Sequence, residues 1–167
     1  MKSRIPNEEI NTLAIQLEDK DGCKRESARE KLVEIGKPAI PILIKLLFHP
    51  KHQVRWEVCK ALGDIADPAA AAPLVSALDD EKVEVRWLAA EALIALKVRA
   101  LPPLLQALVK HYDSFYLRQG AHHVLHAMKR EHLLKQETLA VFYTLRMLGP
   151  RISVVIAARK ALSSLKT

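Results

Sequence analysis

Val54-Arg55-Trp56 recurs as Val85-Arg86-Trp87, 31 residues further along the chain. The copies stay in step afterwards, Ala61-Leu62 being answered by Ala92-Leu93. This recurrence constrains the fold more than any other feature. A unit of this length cannot bury its own apolar face and must stack on a neighbour. The same register reaches back to Arg25, followed by Ala28 and Leu32, and forward to Arg118, followed by Ala121 and Leu125. The arginine spacings are then 30, 31 and 32 residues. A fifth copy fits if Val155 takes the arginine position, with Ala158 and Leu162 behind it and a few extra residues near Glu131–Thr138.

Each unit reads as two antiparallel helices. Asp67-Pro68 is a helix start, since Asp caps an orphan amide and Pro needs no donor in a first turn. Pro38 and Pro41 open the matching helix one unit earlier, and Pro102-Pro103 one unit later. Pro41 and Pro73 fall within the first helices and are expected to bend them. Asp79-Asp80 interrupts the pattern. Lys82 to Lys97 then carries Val85, Ala89, Ala92, Leu93 and Leu96 as one apolar stripe at helical spacing. The chain is therefore expected to form ten helices in five pairs, without a strand of consequence. They make one domain over 1–167, with units at about 7–36, 37–66, 67–98, 101–130 and 131–166.

The acidic turn followed by Val-Arg-x-x-Ala-x-x-Ala-Leu, here Asp79-Asp80 and Val85-Arg86-Trp87-Leu88-Ala89-Ala90-Glu91-Ala92-Leu93, resembles the HEAT repeats. Its form is that of the short HEAT-like repeat named after phycobilisome lyases. The resemblance implies an all-α, right-handed α-solenoid of about five helical hairpins, with the second helices lining a concave face. It also implies that Arg25, Arg55, Arg86 and Arg118 tie repeats together, for which Asp79 and Asp80 are fitting acceptors. It does not name a reaction, because the family spans bilin-lyase components, hydroxylases and plain adaptors.

Half of the residues are apolar but only 5% aromatic, which suits many small helix–helix contacts. There is no long apolar run, and the early Glu8, Glu9, Glu18 and Asp19 argue against a leader or a membrane span. Cys23 and Cys59 form no CxxC, which points to a reducing, cytoplasmic setting. The net charge of +7 resides in the last third: residues 110–167 hold ten basic and three acidic residues.

If the apolar stripe faces the core, three columns face the other way. They hold Trp56, Cys59, Lys60 and Gly63, then Trp87, Ala90, Glu91 and Ile94, then Gln119, His122, His123 and His126. Trp56 and Trp87, one repeat apart, either pack on neighbouring stems to complete the core or form an aromatic strip for a peptide side chain, a flat ligand or unstacked bases. His122 and His126 have the four-residue spacing of a metal chelate but lack an indicated third ligand. The repeated His-Glu pairs of the family's di-iron hydroxylases are absent, as are a phosphate loop, HExxH and GxSxG. No catalytic residue, metal or cofactor is expected.

The leading reading is a scaffold or adaptor that offers Trp56, Lys60, Trp87, Glu91, Gln119, His122, His123 and His126 to a protein or peptide. The runner-up is nucleic-acid binding through Lys110, Arg118, Lys129, Arg130, Arg151, Arg159 and Lys160, as in a DNA glycosylase family with similar repeats. No match for that family's catalytic carboxylate exists here. A metal-dependent or lyase-like enzyme component comes third.

Overall fold

The computed structural model describes residues 7–147 and 151–165. Ten α-helices run through them: α1 (Asn7–Gln16), α2 (Gly22–Ile35), α3 (Ile40–Leu46), α4 (His52–Ile65), α5 (Ala71–Ala77), α6 (Val83–Ala95), α7 (Leu101–Lys110), α8 (Phe115–Arg130), α9 (Gln136–Arg146) and α10 (Arg151–Ser164). No strand occurs among the described residues. None of the helices is long and apolar enough to cross a membrane.

The helices pair and the pairs stack into an α-solenoid. α2, α4, α6 and α8 lie side by side in a second-helix row. In the first-helix row α1 meets α3, α3 meets the 3₁₀ turn leading into α5, and α5 meets α7. The core repeats with the sequence. Leu32, Leu62, Leu93 and Leu125, each seven residues after a repeat arginine, have no exposed surface. Truncating any one of them to Ala would cost about 2–5 kcal/mol. Two glycines permit close helix approach. A Cβ on Gly63 would sit 3.2 Å from Ala92 Cα, and one on Gly120 would sit 2.8 Å from Leu78 Cδ2.

Three 3₁₀ turns, Lys37–Ala39, Pro68–Ala70 and Lys97–Ala100, carry the chain from one pair to the next. The backbone is left-handed at the entry to each, at Gly36 (φ 72°), Ala66 (φ 50°) and Lys97 (φ 54°). Pro41 and Pro73 occupy the first turns of α3 and α5, where backbone amides lack intrahelical partners anyway. The expected bend inside the first helices is thus replaced by a change from a 3₁₀ turn to a fresh α-helix.

The turn inside each of the first four hairpins is closed by the repeat arginine. Its Nη1 donates to the carbonyl six residues earlier: Arg25 to Asp19 at 3.0 Å, Arg55 to His49 at 2.7 Å, Arg86 to Asp80 at 2.7 Å, and Arg118 to Tyr112 at 2.8 Å. In the first three hairpins the side chain of that same earlier residue accepts the amide two positions on, at Asp21, Lys51 and Lys82. Three arginines also reach the following repeat. Arg55 makes a bidentate pair with Asp80 at 2.6 and 2.9 Å. Arg25 Nε stands 3.4 Å from Glu57 Oε1, and Arg86 stacks 3.8 Å above the Tyr116 ring. Glu57 is itself buried and bonded to Arg29 Nε at 3.1 Å.

The last pair departs from the repeat. α9 lies against α8, in the second-helix row, while α10 lies against α7 and α9. The hairpin is reversed, so Val155 does not take the arginine position; it is buried, with Val154, Ala158 and Ala161, in the core of α10. The physical reason lies in residues 131–135, which contain no proline and form no 3₁₀ turn to return the chain to the first-helix row. Residues 148–150 and 166 of that expected unit lie outside the described residues.

Candidate functional site

α6 turns Val85, Ala89, Ala92 and Leu93 into the core, and α8 does the same with Leu117, Ala121, Val124 and Leu125. Between their other faces is a cavity of about 430 Å³. Leu78, Val83, Trp87, Ala90, Tyr116 and Gly120 supply its apolar lining, and Arg86, Gln119, His122, His123 and His126 its polar lining. Trp87 is 56% exposed. Its ring lies 4.7 Å from that of His123, whose Nε2 is 2.8 Å from Glu91 Oε1. Arg86 stacks on the Tyr116 ring as His123 does against Trp87, so the two large aromatic side chains of the cavity are braced by neighbours in adjoining repeats.

The histidines of α8 divide. His123 faces Trp87, whereas His122 and His126 stack on Phe142 of α9, at centroid distances of 5.0 and 6.0 Å. Lys129 completes this cluster, its Nζ 4.9 Å from the rings of both Phe142 and Tyr143. Burial holds His122 below its ordinary pKa, helped by the nearby His126, Arg146 and His123, so its imidazole is neutral near pH 7. Its Nε2 is buried without a hydrogen-bond partner among the described residues. No group of three or more His, Cys, Asp or Glu side chains is arranged to hold a metal among the described residues.

Trp56 and Trp87 do not form one strip. Trp56 is half-buried beneath Lys60, whose Nζ lies 4.6 Å from its ring, and it lines a separate cavity of about 340 Å³ with Cys23, Glu26, Arg29 and Glu57. Trp56 thus shares a cavity with residues of α2. Trp87 leans instead to α8. Two further members of the expected wall are core residues: Cys59 is fully buried and Ala90 nearly so. Burial, with the charge of Asp80 adding to it, pushes the Cys59 thiol up to about 12, which leaves no thiolate for nucleophilic chemistry.

The basic residues of the last third do not share a face. Lys110 ends α7, and Arg159 and Lys160 lie on α10, all in the first-helix row. Arg118, Lys129 and Arg130 belong to α8. Arg118 and Arg151 meet across a second cavity, of about 530 Å³, which Arg146 also lines. Sequence reasoning missed Leu78, Val83, Tyr116 and Phe142 as parts of this region. The Phe115-Tyr116 pair directly after a turn was the one available signal.

Residues 10–94 match the HEAT repeats, and residues 85–110 match the PBS lyase HEAT-like repeat. No curated protein matches the chain in sequence. Among solved structures it is similar to a chain of the complex of CpcE and CpcF of phycocyanin lyase from Nostoc sp. PCC7120. The identity is 22%, the TM-score 0.61, and the alignment covers 91% of this chain and 99% of that one. An engineered protein aligns at 18% identity and TM-score 0.49, over 93% of this chain and 78% of its own. A designed armadillo repeat protein in complex with the peptide (KR)4 aligns at 19% and 0.43, over 94% and 87%.

Proposed function

The chain belongs to the HEAT-repeat family, and from that premise we propose that it is a non-catalytic scaffold whose second-helix row receives a protein or peptide. The observation that carries this reading is Trp87, 56% exposed beside a cavity of about 430 Å³ yet fixed by its neighbours. A large aromatic side chain held on a rigid helix at the rim of a partly apolar cavity is suited to a desolvated contact. Its fixed placement lowers the ordering cost of association. Trp87, Glu91, Gln119, His122, His123 and His126 are the proposed contact wall, with Tyr116 and Val83 beside it. Trp56 and Lys60 form a second, shallower contact one repeat away.

Affinity capture from extracts of the source organism tests this reading. Trp87→Ala removes an exposed side chain and leaves the core untouched, so the variant folds. A buried tryptophan anchor contributes about 2–4 kcal/mol to an interface, so proteins captured by the wild type should be lost from Trp87→Ala and largely kept by Trp56→Ala. Unchanged recovery on folded Trp87→Ala would sink the reading.

A further inference from the structure

Reversal of the last hairpin gathers arginines from three helices. α9 lies along α8, so Arg118, Arg146 and Arg151 line one cavity of about 530 Å³, together with Gln119 and His122. No Asp or Glu among the described residues lines it. Arg118 spends one donor on the Tyr112 carbonyl, and neither Arg146 nor Arg151 has a hydrogen-bond or ion-pair partner among the described residues. This contrasts with Arg29 and Arg55, each of which is matched to a carboxylate. Guanidinium groups gathered around one space repel one another, and their donor forks fit carboxylate oxygens two at a time. Gln119 and His122 line this cavity and the Trp87 cavity alike. A cationic compartment therefore adjoins an apolar one.

We propose that the two cavities together take an acidic peptide segment, with a carboxylate against Arg118, Arg146 and Arg151 and a neighbouring apolar side chain against Trp87, Val83 and Tyr116. The inference rests on the reading of the Trp87 face as a protein contact and adds the chemistry of the partner. A nucleic-acid backbone needs cations in a row. Here Lys110, Arg159 and Lys160 do not line the cavity that Arg118, Arg146 and Arg151 share. A free phosphate would use the arginines but not the apolar cavity that opens beside them.

The test is titration calorimetry of the full chain with a glutamate-rich peptide carrying one central leucine. The lysine-rich counterpart, inorganic phosphate and an oligothymidylate serve as competing probes. Arg146 and Arg151 are exposed, so Arg146→Gln/Arg151→Gln should keep the fold, which circular dichroism of the variant checks. The glutamate peptide should bind the wild type more tightly than any other probe, and the double variant should weaken it at least about tenfold. Replacing the peptide leucine by glycine, or Trp87 by Ala, should weaken it separately. No binding to the wild type, equal affinity for the double variant, or tighter binding of phosphate or oligothymidylate overturns the inference. If Trp87→Ala weakens the peptide while the arginine variant does not, the protein-contact reading stands and the acidic partner falls. If only the arginine variant has an effect, the joining of the two cavities is wrong.

Discussion

Arg55→Ala should be the most damaging single change among the repeat arginines. The side chain is 8% exposed and makes a bidentate pair with Asp80, while Nη1 donates to the carbonyls of His49 at 2.7 Å and Pro50 at 3.1 Å. Removing one partner of a buried ion pair costs about 3–5 kcal/mol. Asp80 retains the Lys82 amide and the charge of Arg86, which places the loss near the low end, about 3 kcal/mol. At about 2–4 °C per kcal/mol for a chain of this size, the midpoint should fall by about 6–12 °C. Arg86→Ala removes two carbonyl bonds and a stack on Tyr116 but strands no carboxylate, so it should cost only about 1–2 kcal/mol. Urea unfolding followed by circular dichroism, in a double-mutant cycle with Asp80→Asn, measures the pair. A coupling above about 1 kcal/mol is expected. Coupling near zero, or an Arg55→Ala loss no larger than that of Arg86→Ala, would refute the clasp.

Three other expectations follow from particular groups. Burial pushes the Asp80 carboxyl up, but the Arg55 guanidinium, the Lys82 amide and Arg86 outweigh it and hold the group below its ordinary value. Its stabilisation is therefore complete above about pH 4 and lost as pH falls through the lower folded value. Acid titration of stability should be flatter in Asp80→Asn than in the wild type. Ala66 pays for a left-handed backbone with a Cβ, so Ala66→Gly should raise stability by about 0.5–1 kcal/mol in denaturant titration. Cys23 is exposed and Cys59 buried, so a thiol reagent should label the native chain at Cys23 alone and reach Cys59 only on unfolding.

The repeat was legible because burial recurs with it: Ala28, Val58, Ala89 and Ala121 follow their arginines by three residues, and all are buried. Their chemistry needs no partner beyond the adjoining unit. What escaped depended on which neighbour each column meets. Cys59 and Ala90 stand in columns that look outward on a lone helix, yet close packing of α4 on α6, permitted by Gly63, and of α6 on α8 covers them. Trp56 and Trp87 share a register but not an environment, since only Trp56 faces the Arg29–Glu57 pair. The reversed hairpin was signalled only by a missing proline before α9. Without that reversal, Phe142 would not meet His122, and Arg146 would not meet Arg118.

Site-specific photocrosslinking addresses the central claim most directly. A benzophenone side chain replaces Trp87 in one variant and Ile15, exposed on α1 in the first-helix row, in another. In cells, position 87 should yield a discrete crosslinked protein that position 15 does not. Equal crosslinking at both positions, or none at 87, would contradict a docking face on the second-helix row.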